Sequence, residues 1–491
     1  MDEKIIGREY EKKILKSILS SPSAELLALY GRRRVGKTHL IREFFHSQVE
    51  IFFTATGQRD TSTTIQLFHF KQEIEKIFYN QSPLPQFKNW DQAIKLLCDV
   101  CQNELSKRKV KNIVLFFDEL PWLSTPKSNF LQTLEYYWNT RLSQIPQIKL
   151  IACGSAASWM IEKLIYAKGG LHNRITRQIR LEPFTLSETK IFLEYRGIYF
   201  KPIQILEIYM AFGGIPYYLQ LIERGYSAAQ NIGNICFEKA GPLSDEYNKL
   251  FLSLFNNAQV HEKIIRIIAQ KREGILRGEL INKLKISSGG RLNQRLKELE
   301  EAGFIISFSP YGKKKKYISY RIIDEYVNFY LRWIESAPIK LLHGDSINYW
   351  IQLANSQSFR SWAGYTFEGI CLKHIKQIRE KLGINSTATE IGTWRYISNK
   401  NDRDDHGAQI DLLFDRNDGI ITLCEIKFKN KEFAIDKLLA KNFKRKVDIF
   451  LKQTKVQKQI FLALITTYGL KSNIWSEDLI HNVVTLNDLL K

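Results

Sequence analysis

The chain has 491 residues, enough for about three domains that each bury a core. Its 44% hydrophobic, 12% aromatic and 25% charged residues are typical of a globular protein and exclude disordered, collagen-like and disulfide-scaffold classes. The 72 Lys and Arg residues against 51 Asp and Glu residues leave a net charge of +21. This excess favours phosphate-rich partners, nucleic acid first among them, with a generally basic, well-solvated surface as the alternative.

The six cysteines are too few and too scattered for a disulfide framework, which favours a reducing compartment. The close pair Cys98 and Cys101 lies in an amphipathic run, so we expect a buried helical face there rather than a metal or redox site. The N-terminal residues lack a secretion-signal pattern, and no apolar run reaches the roughly 18 residues of a membrane span. We therefore expect a cytoplasmic protein without a membrane partner.

The N-terminal third of the sequence alternates apolar runs with amphipathic helical segments. The apolar runs lie at 26–30, 51–53, 113–117 and 148–153. Runs that are buried on both faces are typical of parallel strands with helices packed on each side. Residues 1–180 are therefore predicted to form a doubly wound α/β domain.

A glycine-rich loop of the form Gly-x-x-x-x-Gly-Lys-Thr follows the first apolar run and opens a helix at 39–45. In such a loop, backbone N–H groups close round the β-phosphate of a nucleotide at the positive end of a helix. Lys37 is expected to reach the β- and γ-phosphates, and the Thr38 hydroxyl is expected to bind Mg²⁺. The predicted ATP-binding residues of the loop are Gly31, Arg32, Arg33, Arg34, Val35, Gly36, Lys37 and Thr38.

Polar residues follow the third and fourth apolar runs. Asp118 is the predicted Mg²⁺-shell ligand, and Glu119 is the predicted base that positions the attacking water. Ser155 is a candidate for contact with the γ-phosphate or with that water. Arg174 is a candidate to face the nucleotide, in cis or from a neighbouring subunit, and an exposed basic residue after a loop is the equal alternative.

These motifs resemble those of the archaeal-type ATPase family of AAA+/STAND-like P-loop proteins. The resemblance also includes Ile6-Gly7-Arg8-Glu9, the Phe-Phe-Asp-Glu-Leu-Pro-Trp-Leu segment, Cys153-Gly154-Ser155 and Gly213-Gly214-Ile215-Pro216-Tyr217. It covers about residues 1–325. It implies ATP binding and hydrolysis, a Gly7-Arg8 segment near the adenine, a helical lid and a winged helix after the lid.

The chain beyond residue 180 is predicted to hold four further parts. Residues 181–257 have helical periodicity and form the lid, and residues 258–325 contain three short helices and a β-hairpin, the order of a winged helix. Residues 326–356 are predicted to be a helical linker, and residues 357–491 the last α/β domain.

The predicted winged helix has a basic surface. Its third helix, at 291–301, has Leu292, Leu296 and Leu299 on one stripe, which leaves its polar and basic residues facing outward. Four lysines at 313–316 lie at the predicted wing tip, where a wing meets phosphates. DNA binding and a lid that contacts the ATPase domain are the two interpretations left open.

Charged residues interrupt two apolar strands of the last domain. Asp411 lies in the first strand, while Glu425 and Lys427 share one face of the second because side chains alternate along a strand. Glu368 adds an acid from a preceding helix. The set suits phosphodiester hydrolysis in which Asp411 and Glu425 bind Mg²⁺, or Mn²⁺ instead, while Lys427 orients water or stabilises developing charge.

This set resembles the PD-(D/E)xK nuclease superfamily over about residues 357–470, which implies a restriction-endonuclease-like fold. Ile410 stands where many members have Pro before the first Asp. The alternative is a domain that keeps the fold in a non-cleaving or nucleic-acid-binding role. His406, with Asp402, Asp404 and Asp405, favours a solvated loop over a second metal site. The Lys-rich tract 427–458 suits either a helix along a phosphate backbone or a solvated face.

The sequence thus predicts a multidomain α/β protein with a P-loop parallel-sheet ATPase, a helical lid, a winged helix and a C-terminal restriction-endonuclease-like domain. ATP turnover is expected to be coupled to DNA binding and Mg²⁺-dependent cleavage, with ATP and Mg²⁺ as cofactors and DNA and further copies of the chain as partners. The alternatives are a nucleotide-gated switch with a non-cleaving docking domain, and a chaperone-like remodeller stimulated by protein.

Overall fold

The computed structural model describes residues 5–107, 109–166, 171–255, 257–285, 289–312, 317–337, 346–398 and 406–491. The chain divides into two compact units. The first comprises Met1–Pro183 and Leu296–Gly303, and the second comprises Phe184–Arg295 and Phe304–Lys491. Over the described ranges, no helix combines the length and the apolar character needed to cross a membrane.

The first unit is built on a five-stranded parallel sheet in the order β2-β3-β4-β1-β5. Its strands are β1 (Glu25–Tyr30), β2 (Ile51–Thr56), β3 (Ile113–Asp118), β4 (Ile148–Gly154) and β5 (Arg177–Arg180). Its helices are α1 (Glu9–Leu19), α2 (Lys37–Phe45), α3 (Thr63–Phe78), α4 (Trp90–Lys107), α5 (Leu120–Leu123), α6 (Phe130–Thr140) and α7 (Ala157–Trp159). The predicted parallel α/β architecture is confirmed.

The apolar runs of the first unit become its central strands. Every residue of β3 and β4 is buried, as expected for strands with neighbours on both sides. Because β1, β3 and β4 are parallel, their carboxyl ends meet at one edge of the sheet, where ligands bind in open α/β folds. Cys98 and Cys101 are buried on α4, as predicted, and burial raises the pKa of the Cys98 thiol to about 12.

The second unit begins with a helical segment. It contains α8 (Leu186–Tyr195), α9 (Pro202–Phe212), α10 (Pro216–Leu219), α11 (Ala228–Phe237) and α12 (Glu246–Leu254). The residues Gly213, Gly214 and Ile215 lie between α9 and α10. A Cβ on Gly214 would lie 1.8 Å from the carbonyl oxygen of Phe184, so only glycine fits this close approach.

Three helices and a small antiparallel sheet follow. The helices are α13 (Ala258–Ala269), α14 (Arg277–Leu284) and α15 (Gly290–Glu301), and the sheet pairs β6 (Ile275–Leu276), β8 (Ser319–Ile322) and β7 (Ile305–Phe308) in that spatial order. The short β6 was not predicted from the sequence. Lys313–Lys316, the predicted wing tip, lie outside the described residues. Two further helices, α16 (Glu325–Phe329) and α17 (Ser346–Ala354), occupy the predicted linker.

The C-terminal part is a five-stranded mixed sheet in the order β13-β12-β11-β10-β9. Its strands are β9 (Thr389–Tyr396), β10 (Ala408–Arg416), β11 (Ile420–Lys427), β12 (Gln459–Thr466) and β13 (Asn482–Thr485). Its helices are α18 (Gln357–Lys373), α19 (Ile375–Lys381), α20 (Lys437–Thr454), α21 (Ile474–Leu479) and α22 (Leu486–Leu489). The strands β9, β10 and β11 pair antiparallel, whereas β11, β12 and β13 pair parallel.

The pairing of β9 with β10 contains one irregularity. The register shifts between Ile410 and Leu413, which is the signature of a β-bulge. Asp411 lies within this bulge. On the other side of β10, the pairing with β11 is regular from Leu412 to Asp415.

Candidate functional site

The phosphate loop connects β1 to α2 and needs glycine at two positions. Gly31 has φ 147°, and a Cβ there would lie 2.4 Å from the carbonyl oxygen of Leu181. Gly36, directly before α2, has φ 90°. L side chains rarely adopt these backbone angles, so the loop can turn tightly only because both positions are glycine.

Lys37, the first residue of α2, folds back over the loop. Its Nζ donates to the carbonyl oxygens of Gly31 and Arg32, at 3.0 Å in each case. Burial lowers the pKa of Lys37. The ammonium therefore sits on the inside of the loop, where a nucleotide phosphate would be held.

Thr38 and Asp118 meet at the carboxyl edge of the sheet. The Thr38 hydroxyl donates to Oδ2 of Asp118 at 2.8 Å. Burial raises the pKa of Asp118, although the hydrogen bond from Thr38 opposes that shift. A hydroxyl and a carboxylate at this distance fit Mg²⁺, which takes few protein oxygens and completes its shell with phosphate and water.

Glu119 has a left-handed backbone with φ 48° and is turned toward the end of β4. Its Oε2 accepts from the backbone N–H of Ser155 at 3.1 Å, and its Oε1 accepts from the Ser155 hydroxyl. The sequence predicted that Ser155 would contact phosphate or water. The structure places Ser155 on the carboxylate that is predicted to position the water.

Two predicted residues, Arg8 and Arg174, differ in their relation to the loop. Arg8 is buried and donates to the carbonyl oxygens of Val35 at 3.2 Å and Glu182 at 2.6 Å, which brings the Gly7-Arg8 segment against the loop. Arg174 is exposed on a 3₁₀ turn before β5. No contact described in the structure joins it to the loop or to Asp118 and Glu119.

A second cluster of charged groups forms in the C-terminal sheet. The register that pairs Leu412 with Cys424 sets Asp411 opposite Glu425 on neighbouring strands. Nζ of Lys427 lies 2.6 Å from Oε1 of Glu425. Asp411 accepts from the backbone N–H of Ile426 at 3.0 Å and is thereby fixed in the sheet.

Glu368 approaches this cluster from α18. Burial, followed by the Asp411 carboxylate, raises the pKa of Glu368 to about 8. Burial and the Glu425 carboxylate also raise the pKa of Asp411. Burial lowers the pKa of Lys427, but the carboxylates of Glu425 and Asp411 outweigh it and the net shift is upward. The structure therefore brings together all four predicted residues, which we call the carboxylate cluster.

Lys446 of α20 also reaches the carboxylate cluster and was not predicted as a site residue. Its Nζ lies 2.8 Å from Oε1 and 2.7 Å from Oε2 of Glu425. Helical periodicity could have found it. Lys446 follows the buried Phe443 by three residues and precedes the buried Phe450 by four, so it lies on the inward stripe of a helix whose other lysines face outward.

The side chains of the carboxylate cluster do not by themselves form a complete metal-binding site. Among the described residues, no group of three or more His, Cys, Asp or Glu side chains is arranged to hold a metal ion. The mutual repulsion of Asp411, Glu368 and Glu425 nevertheless fits a divalent cation, which would relieve it. Asp411 and Glu425 are the residues that would hold such an ion, and Lys446 competes for Glu425.

Comparison with protein families finds two matches. Residues 5–222 match a family described as an ATPase domain predominantly from Archaea. Residues 330–446 match a family described as archaeal and bacterial proteins of unknown function. The N-terminal region thus carries a P-loop domain of the archaeal ATPase type, with its glycine-rich loop and its Asp118-Glu119 pair inside the matched range.

Comparison with individual proteins gives similarities over most of the chain. An uncharacterized protein, MJECL04 of Methanocaldococcus jannaschii, is 25% identical over 435 residues, which are 87% of this chain and 88% of that protein. The Walker-type ATPase PABY2304 of Pyrococcus abyssi is 19% identical, with a TM-score of 0.47 over 67% of this chain and 97% of that one. The ORC2 protein of Aeropyrum pernix in ADPNP–ADP complexes is 16% identical, with a TM-score of 0.43 over 72% of this chain and 95% of that one.

These comparisons do not test whether residues 258–325 form a winged helix or whether residues 357–491 form a nuclease domain, so both interpretations stay predictions.

Proposed function

We propose that the protein hydrolyses ATP at the phosphate loop and couples this turnover to metal-dependent cleavage of DNA at the carboxylate cluster. The observation that carries the proposal is the convergence of Glu368, Asp411, Glu425 and Lys427, which come from one helix and two strands. Buried carboxylates that raise one another's pKa are costly to stability and are typical of functional sites.

At the phosphate loop, Lys37 would leave the carbonyl oxygens of the loop and bind the β- and γ-phosphates. Thr38 and Asp118 would hold Mg²⁺, which neutralises charge on the phosphates. Glu119 would orient the attacking water and accept its proton, and Ser155 would fix the direction of the Glu119 carboxylate. Each of these groups lies at the carboxyl edge of the same parallel sheet.

At the carboxylate cluster, Asp411 and Glu425 would hold the metal ion, which would lower the pKa of a bound water and polarise the phosphodiester. Lys427 would stabilise the charge that develops on the phosphate or orient the water. Glu368 would donate a proton to the leaving oxygen, because its raised pKa of about 8 keeps it largely protonated near neutral pH.

Nucleic acid as the substrate is supported by charge. The net charge is +21, and α20, which carries Lys446 into the cluster, has further lysines and an arginine on its outer face. A helix of this kind suits a phosphate backbone. The helices α13, α14 and α15 with the β7–β8 hairpin, taken as a winged helix, would supply a second basic surface.

The test is cleavage of plasmid, linear duplex and single-stranded DNA in the presence of ATP with Mg²⁺ or Mn²⁺. Lys427→Ala should reduce cleavage by at least about 100-fold and leave ATP hydrolysis unchanged, since it removes charge stabilisation only at the second site. Lys431→Ala, an exposed lysine just beyond β11, is the matched control. Cleavage that persists in Lys427→Ala would contradict the proposal.

Lys37→Ala tests whether ATP hydrolysis controls DNA cleavage or whether the two activities are independent. If ATP turnover gates cleavage, this variant loses both activities. If cleavage continues without ATP hydrolysis, the two sites work independently and the coupling is wrong.

One observation favours a second candidate function. Both carboxylate oxygens of Glu425 are bound by Lys446, so the cluster is already partly neutralised by the protein's own cations. A domain in this state would suit a nucleotide-gated switch that docks DNA or a protein partner without cutting. ATP hydrolysis with nucleotide-dependent DNA binding, and no cleavage of any substrate with either metal, would favour the switch.

A further inference from the structure

The second unit contains a polar cleft of about 550 Å³ beside the carboxylate cluster. We call it the arginine cleft, and it is lined by residues that include Arg272, Arg321, Arg332, Trp362 and Tyr365. These residues come from the segment after α13, from β8, from the π-helical turn after α16, and from α18. None of them belongs to the carboxylate cluster.

The cleft and the carboxylate cluster share one turn of α18. Tyr365 and Gly369 line the cleft, while Glu368 belongs to the cluster. Arg321 joins the two, since its Nη2 donates to the carbonyl oxygen of Tyr365 at 2.8 Å and lies 3.9 Å from Oε2 of Glu368. Arg321 therefore lies between the cleft and Glu368 of the cluster.

The carboxylates of the cleft are engaged by the protein itself. Glu325 pairs with Lys373 at 2.7 Å, and Glu335 pairs with Arg266. Asp324 accepts from the backbone N–H of Val327 at 2.8 Å. Because these acids are already bound, the lining retains cationic groups for an incoming anion.

The cationic groups of the cleft are combined with aromatic rings. The guanidinium of Arg272 lies 4.8 Å from the ring centre of Tyr365, and that of Arg332 lies 4.9 Å from the ring centre of Trp333. Tyr365 is 38% exposed. Cations and a partly exposed aromatic ring are groups that recognise a nucleotide's phosphate and base.

The size of the cleft limits which form of nucleic acid can enter it. A volume of about 550 Å³ holds a ligand the size of a small drug molecule, which corresponds to one or two nucleotides. A duplex would have to remain outside it. Bases reach such pockets only from single strands or after leaving the stack.

We propose that the arginine cleft binds an unpaired nucleotide, stacked on Tyr365, whose strand runs on to the carboxylate cluster. The substrate class is then single-stranded or partly unpaired nucleic acid rather than continuous duplex. This inference rests on the proposed function, because the cluster gives the bound strand its reaction. Arg272 and Arg321 would hold its phosphates.

The test is fluorescence anisotropy of the full chain in EDTA, where cleavage is blocked. The probes are a fluorescein-labelled oligothymidylate of about 20 nucleotides and a hairpin duplex of the same length. Tyr365→Ala and Arg272→Ala should each weaken binding of the single strand about tenfold, because base stacking and a phosphate contact are lost. Tyr365→Phe, which keeps the ring, should stay within about twofold of the wild type.

Two matched controls keep the test specific to the cleft. Tyr199→Ala and Arg224→Ala change exposed residues of the same unit outside the cleft and should leave affinity unchanged. Duplex affinity should be the same in all variants. A single strand that carries 5-iodouracil should crosslink to the peptide containing Tyr365.

The outcomes separate this inference from the proposed function. Single-strand affinity that is equal in wild type and Tyr365→Ala, with cleavage still dependent on Lys427, overturns the cleft and leaves the nuclease. Loss of single-strand and duplex binding by the same factor also overturns it. A wild type that neither binds nor cuts any nucleic acid contradicts both.

Discussion

The phosphate loop and the carboxylate cluster each combine a lysine with buried acids, yet the lysines are in opposite electrostatic situations. Lys37 contacts two backbone carbonyl oxygens, and burial lowers its pKa. At Lys427, burial acts in the same direction, but Glu425 and Asp411 outweigh it and raise the pKa. Backbone carbonyl dipoles stabilise the Lys37 ammonium, whereas the charged carboxylates of Glu425 and Asp411 stabilise that of Lys427.

This difference indicates what each site lacks. Lys37 pairs with weak acceptors that a phosphate can displace, so the loop is complementary to an incoming anion. The carboxylate cluster holds three acids beside Lys427, Lys446 and Arg321, so an incoming cation would have to displace one of the protein's own cations. Four changes can break or sharpen this contrast.

The largest effect is expected at Lys37. Lys37→Ala should slow ATP hydrolysis by at least about 100-fold, because the ammonium that stabilises the phosphates during phosphoryl transfer is removed. Steady-state release of inorganic phosphate measures the loss. Arg33→Ala keeps the backbone N–H of this loop residue and removes only an exposed side chain, so it is the control and should retain most activity. Equal losses in both variants would mean that general loop charge, and not the buried ammonium, matters.

Ser155 should have a smaller effect at the same site. Ser155→Ala removes the hydroxyl that binds Oε1 of Glu119 but keeps the backbone N–H bond to Oε2. We expect kcat for ATP to fall about tenfold with KM nearly unchanged, because only the direction of the Glu119 carboxylate is loosened. A faster enzyme would show that Ser155 holds Glu119 away from the water.

A substitution of Lys446 tests whether the carboxylate cluster binds a divalent cation. Lys446→Met keeps the aliphatic stem and removes the charge that occupies Glu425, so the Mg²⁺ or Mn²⁺ concentration for half-maximal cleavage should fall several-fold. Titration of cleavage against metal gives the value. Lys444→Met is the matched control on the same helix, since Lys444 pairs with Asp478. A higher metal requirement would make Lys446 part of the catalytic apparatus instead.

The smallest effect concerns Glu207 of α9, where burial acts without the neighbouring acids of the cluster. Burial raises its pKa from 4.5 to about 7, and Arg360 is the other charged residue lining its cavity. The native state then holds this proton more tightly than the unfolded state, so stability falls as pH rises from about 4.5 to about 7. Glu207→Gln should therefore raise Tm by more at pH 8 than at pH 5, measured by calorimetry. The exposed Glu238→Gln should show no such trend.

Much of the ATPase region could be predicted because its signals are local. A strand, a glycine-rich loop and a helix follow one another directly, so Lys37 and Thr38 are fixed by short-range sequence. Asp118 ends its strand, and parallel strands bring it to the same edge as Thr38. The contact between Ser155 and Glu119 could not be foreseen, because it depends on the left-handed backbone at Glu119.

The sequence predicted the four residues of the carboxylate cluster but not the cations that contact them. Alternation along β11 set Glu425 and Lys427 on one face, and interruptions of apolar strands pointed to Asp411. Arg321 and Lys446 come from β8 and α20. Helical periodicity indicates that Lys446 faces inward, but only tertiary packing brings these two cations to Glu368 and Glu425. The arginine cleft has the same origin, since its residues are up to about 100 positions apart in the chain.

The bulge in β10 has a consequence for how this protein can vary. Asp411 lies in the bulge toward β9, while the pairing toward β11 that aligns it with Glu425 is regular. β9 is the edge strand, and a bulge absorbs an extra residue between two strands. An extra residue in β9 can therefore be accommodated without moving the reactive groups, whereas one residue gained or lost within β10 after Asp411, or within β11 before Glu425, would turn one carboxylate to the opposite face of the sheet.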